Sequence, residues 1–191
     1  EYAELKTLGL DGVMVYQETY HEAVYARHHL RGNKQDFFWR LETPDRLGRA
    51  GIDRIGLGAL IGLSDSWRVD CFMVAEHLLW LQQHYWKSRY SISFPRLRPC
   101  TGGTQPASVM DERQLVQTIC AFRLLAPEVE LSLSTRESPA FRDNVIPLAI
   151  TSVSAFSKTQ PGGYADDHPE LEQFAPHDSR RPEEVAAALS H

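Results

Sequence analysis

A basic excess, long apolar runs and closely spaced cysteines are all missing from this 191-residue chain. Its 20 Lys and Arg stand against 25 Asp and Glu, a formal charge of -5. No overall electrostatic footprint for nucleic acid or an anionic membrane follows from that balance. The apolar stretch at residues 55–63 falls far short of the ~18 residues of a membrane span. Nothing near Glu1 has the basic and apolar regions of a signal peptide, and a cytoplasmic location is expected. The three cysteines, Cys71, Cys100 and Cys120, are too far apart for a zinc knuckle, a redox pair or a cluster loop. They read as two helix-face thiols and one loop thiol.

What is present is a globular composition, 42% hydrophobic and 24% charged, able to build a packed core. The length suits one domain but falls short of the ~250 residues of a complete eight-stranded β/α barrel. The chain opens on Glu1 without Met, and its first residues read as a helix stopped at Gly9. A piece of a longer protein is the expectation.

Apolar runs at residues 13–16, 55–61, 90–94 and 130–134 read as buried strands, with a fifth inside 147–154. Between them, Val69, Phe72, Met73, Leu78, Leu79 and Tyr85 predict a helix from Trp67 to Trp86. Asp111, with Gln114 three residues on, predicts a capped helix whose stripe is Leu115, Val116, Ile119, Cys120 and Leu124. Pro99 and Gly102-Gly103 predict a loop, and residues 183–189 a last short helix. Strands alternating with helices imply a parallel sheet. Each strand runs into polar residues: Gln17-Glu18, Ser64-Asp65, Arg96 with Arg98, Thr135-Arg136-Glu137 and Ser157-Lys158. A doubly wound sheet concentrates its ligand at one switch point, whereas a barrel gathers its site from many strand ends. Five equipped ends predict an α/β fold, a partial (β/α) barrel of about five parallel strands.

Several groups could carry chemistry. Gln17-Glu18-Thr-Tyr-His21 sets a carboxylate able to accept from a ribose diol beside an imidazole able to move a proton; it serves equally as a polar helix start. Arg40 could grip a carboxylate or make a surface ion pair. Gly56, Gly58 and Gly62 do not have dinucleotide-loop spacing, but glycine in a strand permits close approach of a flat ligand or a neighbouring strand. Thr135-Arg136 suits an amino-acid carboxylate, unless Arg136 pairs with Glu137. His28-His29 and the pair His77 and His84 lack metal spacing and read as solvated. Lys158-Thr-Gln-Pro-Gly-Gly163 is a turn that could cradle an anion.

Taken together, Val15-Tyr-Gln-Glu-Thr-Tyr-His21, Gly58-Ala-Leu-Ile-Gly-Leu-Ser-Asp65, Phe94-Pro-Arg-Leu-Arg-Pro99, Ser132-Leu-Ser-Thr-Arg-Glu137 and Ser157-Lys-Thr-Gln-Pro-Gly-Gly-Tyr164 closely resemble the later part of the radical S-adenosylmethionine tyrosine lyases of thiamine biosynthesis. The resemblance covers essentially the whole chain. It implies one partial radical barrel over residues 1–191 lacking its N-terminal strands, a biotin and thiamin synthesis associated region within about 40–160, and an irregular extension over 160–191. It implies S-adenosylmethionine and a 4Fe-4S cluster, cleavage of the Cα–Cβ bond of L-tyrosine to 2-iminoacetate and p-cresol, thiazole synthase as recipient, and a reduced flavodoxin-type electron donor.

By the same resemblance Gln17, Glu18, Arg40, Gly58 and Gly62 would bind S-adenosylmethionine, Thr135 and Arg136 would bind the tyrosine carboxylate, and His21 is a weaker candidate near the phenol. The motif at 58–65 departs from the family's G-x-I-x-G-x-x-E at Leu60 and Asp65. The C-x3-C-x2-C cluster loop has no counterpart here, so no metal ligand is assigned, and the chain alone is expected to be inactive. The alternatives are a non-catalytic module that binds tyrosine, S-adenosylmethionine or a protein, and a related lyase acting on another aromatic amino acid or serving a hydrogenase cluster.

Overall fold

The computed structural model describes residues 1–98, 104–160, 162–165 and 176–190. Pro99, Cys100, Gly102, Gly103 and Pro161 lie outside the described residues, as do residues 166–175 and 191 of the expected irregular extension.

Side chains on a strand alternate between its two faces, and here the alternation separates two kinds of residue. The strands β1 (Gly12–Met14), β2 (Arg54–Gly58), β3 (Arg89–Ser93), β4 (Glu130–Leu133) and β5 (Ser152–Val153) pair in sequence order, and every pair is parallel. One set of rows is apolar: Val13, Ile55 and Tyr90, then Leu57, Ile92 and Leu131. These join the helices in one core, and each fully buried Leu or Ile contributes about 1.5–3 kcal/mol. The other set is small or polar: Met14, Gly56, Ser91 and Glu130, then Gly58, Ser93, Ser132 and Ser152. Strand order never reverses, as it would in a doubly wound sheet. The chain is a half-barrel, helices outside and a glycine- and serine-lined face inside.

The helices are α1 (Tyr2–Thr7), α2 (Glu22–His28), α3 (Phe37–Leu41), α4 (Thr43–Arg49), α5 (Trp67–His84), α6 (Glu112–Leu125), α7 (Pro139–Ala149) and α8 (Pro182–Leu189). The predicted capping box of α6 is present: the Gln114 amide donates to Asp111 Oδ1 at 2.8 Å and the Asp111 amide to Gln114 Oε1 at 3.0 Å. After α1, Gly9 takes the left-handed conformation, φ 97°, that only glycine adopts without cost.

Two expectations need correction, and one helix is new. In α5 the inward stripe is Trp67, Asp70, Cys71, Val74, Leu78 and Leu81, while Val69, Phe72 and Met73 are exposed. The apolar residues surround this helix, so periodicity alone picked the wrong side. In α6, Thr118 and Phe122 are buried and Leu124 is exposed. The fifth strand does fall inside 147–154, as Ser152–Val153, but the helix α7 over 139–149 was not expected. Pro139 starts that helix and Ser138 caps it, its Oγ accepting from the Phe141 amide at 3.3 Å. Pro147 falls in the last turn, where it removes one interior hydrogen bond but does not end the helix.

The absence of a side chain at Gly48 lets α4 meet the end of α5: an added Cβ would land on the Tyr85 ring. That ring is held by its hydroxyl, which donates to Asp45 Oδ1 at 2.5 Å. Gly48→Ala should therefore lower unfolding free energy by about 1–3 kcal/mol through overpacking. Urea denaturation checks this, and a change within error would contradict the packing.

Candidate functional site

The C-terminal ends of the strands bring four loops together on the inner face. After β1 the pairing with β2 continues: Val15 donates to the Gly56 carbonyl at 2.9 Å and Gln17 to that of Gly58 at 3.0 Å. Tyr16 then lies on the inner face, filling the space above Gly58, where an added Cβ would also meet the Ser93 carbonyl. Burial pushes the Tyr16 phenol above its ordinary pKa, opposed by a hydrogen bond with Ser93 and the charge of Arg136. Glu18 follows with φ 74°, a left-handed conformation that costs a non-glycine residue on the order of 1–3 kcal/mol and marks functional loops. Its carboxylate meets Lys34 Nζ at 3.3 Å.

Opposite, the β3 and β4 loops are joined through one buried carboxylate. Glu137, 2% exposed, accepts from Arg96 Nε at 2.9 Å, from Arg96 Nη2, and from Arg98 Nη2 at 2.9 Å. Arg96 also donates to the Met110 carbonyl at 2.8 Å, and Arg98 to the Arg136 carbonyl at 3.1 Å. Glu137 thus belongs to Arg96 and Arg98. Burial lowers the pKa of Arg136, with Arg98 adding to the effect, while Glu18, Glu137 and Tyr16 oppose it. Arg136 and Glu18, from strands at opposite sides of the half-barrel, therefore share one electrostatic neighbourhood. A partly desolvated cation with a phenol in its electrostatic neighbourhood suits a carboxylate ligand.

A third layer closes the β4 end. The His177 and Asp178 amides donate to the Thr135 carbonyl at 2.8 and 3.0 Å. Asp178 pairs with Arg142, both side chains fully buried, and with Arg180 Nη2 at 2.7 Å. Arg142 also donates to the Ser154 carbonyl. This clamp fixes the backbone that presents Thr135 and Arg136.

The predicted site residues do not all converge. Glu18 and Arg136 do. Arg40, on α3, donates to the Tyr16 carbonyl at 3.1 Å and so supports the loop from outside. Gln17, 4% exposed, keeps the parity of Val15, and neither of its side-chain amide atoms has a hydrogen-bond partner among the described residues. Gly58 admits Tyr16 and the Ser93 carbonyl, and Gly62, φ 101°, admits the Ser108 carbonyl. Thr135 is buried under the clamp. His21 caps α2 on the surface, accepting from the Val24 amide at 3.4 Å, away from the inner face. Sequence reasoning missed Tyr16 and the clamp; it also missed Asp70, the one polar residue in the inward stripe of α5. Among the described residues no group of three His, Cys, Asp or Glu could hold a metal, and no helix is long and apolar enough to cross a membrane.

A cleft of about 1010 Å³ opens on the helix side, lined by Trp39, Arg46, Met73, Trp80, Tyr20 and His77 among others. It holds none of the strand-end groups. His77, expected to be solvated, instead shares a 2.9 Å hydrogen bond through Nδ1 with the Tyr20 hydroxyl. Burial drives its pKa down to about 4, with Asp45 opposing.

Residues 93–191 match the family model described as the Biotin and Thiamin Synthesis associated domain. The 2-iminoacetate synthase of Escherichia coli is 88% identical over 190 residues, which is 100% of this chain and 50% of that protein. The 2-iminoacetate synthase of Salmonella typhimurium is 87% identical over 189 residues, 99% of this chain and 50% of that one. The chain spans about half the length of these relatives. Among solved structures, the FeFe-hydrogenase maturase HydG from Carboxydothermus hydrogenoformans superposes with a TM-score of 0.86 at 31% identity, over 99% of this chain and 43% of that one. A second HydG crystal structure gives 0.85 at 35%, over 96% and 40%.

The His77 environment sets a pH dependence. Its folded-state pKa of about 4 lies below the ordinary 6.5, so between these values the unfolded chain binds a proton that the folded chain refuses. This stability is fully present above pH 6.5 and is lost as pH falls toward 4, by about 2–3 kcal/mol. His77→Asn keeps an acceptor for Tyr20 without the titration. Denaturation midpoints across that range should flatten in the variant, and an unchanged slope would contradict the assignment.

Proposed function

Because the chain belongs to the Biotin and Thiamin Synthesis associated domain family, we propose that it forms the part of a 2-iminoacetate synthase that holds L-tyrosine and one side of S-adenosylmethionine. The observation that carries this is the convergence of Glu18, Tyr16 and Arg136 on the inner face, in a chain 88% identical to such an enzyme. The proposed reaction breaks the Cα–Cβ bond of tyrosine to give 2-iminoacetate and p-cresol. Identity of 31–35% to the HydG structures against 87–88% to the synthases favours this reading over a hydrogenase maturase.

The residues fit S-adenosylmethionine in part. Glu18 offers a half-buried carboxylate to a ribose diol, whereas the Gln17 side chain, with the parity of the core residue Val15, adds nothing to that fit. Arg40, through the Tyr16 carbonyl, sets the pose of that loop, with Gly58 and Gly62 keeping the neighbouring loops close. The residues do not fit a 4Fe-4S cluster, since the three cysteines lack the C-x3-C-x2-C spacing. S-adenosylmethionine, when bound and reduced, supplies the radical that starts the chemistry. The chain's own part is positional: Arg136 pairs with the tyrosine carboxylate, Thr135 fixes the approach of that loop, and the Tyr16 phenol and Ser93 hydroxyl bound the pocket beside it. His21, the surface cap of α2, is given no part in this site. Thiazole synthase as recipient, a reduced flavodoxin-type donor and a cytoplasmic setting complete the proposal.

The test is to graft the chain in place of the matching 190 residues of the Escherichia coli enzyme and to assay p-cresol anaerobically. The graft should be active, the 191-residue chain alone inactive, and Arg136→Ala should cost about 10–100-fold in kcat/KM, the worth of a charge-assisted carboxylate contact. An inactive graft, or an unaffected Arg136→Ala, would overturn the reading.

A further inference from the structure

Asp70 is 1% exposed in the first turn of α5 and accepts three hydrogen bonds, all from neutral donors. Oδ1 takes the Thr19 hydroxyl at 2.9 Å and the Tyr20 amide at 2.7 Å, and Oδ2 takes the Ser64 hydroxyl at 2.5 Å. One carboxylate therefore ties the loop after β1 to the loop after β2. A buried carboxylate with no cation among its hydrogen-bond partners is a poor way to gain stability, since desolvation opposes it. The helix N-terminus and the three donors offset that cost. Such a group is kept where geometry matters.

The residue whose geometry needs holding is Glu18. It stands at φ 74°, immediately before Thr19. On its inner side the strand pairing fixes it: Gln17 donates to the Gly58 carbonyl at 3.0 Å, and the Leu60 amide to the Glu18 carbonyl at 2.8 Å. On its outer side Thr19 and Tyr20 are fixed by Asp70, and Tyr20 again by His77, two turns along the same helix. A conformation unfavourable to glutamate persists only when its surroundings over-determine it, and α5 supplies half of that constraint.

We propose that Asp70 is a positioning residue: acting through Thr19 and Tyr20, it holds Glu18 in the left-handed conformation that aims its carboxylate at the ribose of S-adenosylmethionine. This rests on the reading of Glu18 given above. Asp70 touches neither ligand. The nearly isosteric Asn can keep the two bonds at Oδ1 but sets an amide against the Ser64 hydroxyl, so it loosens the tie without opening a cavity.

In the grafted enzyme, Asp70→Asn should raise KM for S-adenosylmethionine about 10-fold, leaving kcat and the KM for tyrosine within about 2-fold. Glu18→Gln should raise the same KM about 10-fold, and the double variant should be no worse than either single one, because the two act through one contact. A lowered melting temperature with an unchanged KM for S-adenosylmethionine, or additive losses in the double variant, would overturn the proposal. If Asp70→Asn does not fold, Thr19→Val removes one of its three donors and should give a smaller rise in the same KM; no rise would overturn it. If Glu18→Gln alone leaves that KM unchanged, the ligand reading of Glu18 has failed. The positioning claim is then decided by a crystal structure of the Asp70→Asn chain: residue 18 leaving positive φ supports it, and residue 18 staying near 74° refutes it.

Discussion

The two-residue period of five parallel strands is the constraint on which the remaining features depend. It sends Val13, Ile55, Leu57, Ile92 and Leu131 outward to the helices and leaves Gly56, Gly58, Ser91, Ser93 and Ser132 inside. Barrel interiors are usually filled by branched side chains in layers. Here the inner face carries little side-chain volume, and the longer groups come only from strand ends. A register slip of one residue in β2 would put Ile55 and Leu57 on that face and the glycines against the helices. The hydrophobic core and the room for a ligand are thus two results of one pattern.

Given that sheet, the loops must be held without filling the space between them, and three carboxylates do this from behind. Asp70 joins the loops after β1 and β2, Glu137 joins those after β3 and β4, and Asp178 ties the segment at 176–180 across Thr135. Each is buried, and each has donors on both sides. Breaking one partner of such a pair leaves a buried charge uncompensated and is far more damaging than losing a surface bridge. Arg136 and Glu18 are left on the inner side of this framework, where partial burial strengthens their interactions with anything that enters.

Much of this was legible in the sequence because it rests on local rules. The apolar run at 55–61, the capping pair Asp111 and Gln114, and polar residues closing every strand are short-range signals, and all appear in the fold. The failures are equally physical. The stripe of α5 was misread because Val69, Phe72 and Met73 are as apolar as the residues that point inward. Helix α7 was missed because Pro147 and the β-branched residues after it look like a strand start. Glu137 was set against its neighbour Arg136, whereas its partners Arg96 and Arg98 are about forty positions away and come near only through β3–β4 pairing. Asp70 left no usable signal, because apolar residues surround α5 and nothing in the sequence marks its side of the helix as the inward one.

On this geometry ligands meet the chain on the inner face, between the β1 and β4 ends, and not in the cleft between α4 and α5. The most direct measurement is a crystal structure of the grafted enzyme with S-adenosylmethionine and tyrosine bound. The tyrosine carboxylate should lie on the Arg136 guanidinium and the ribose hydroxyls on Glu18, within hydrogen-bond reach of each. Tyrosine seated against Trp39 and Trp80, or bound with Arg136 turned away, would contradict that placement.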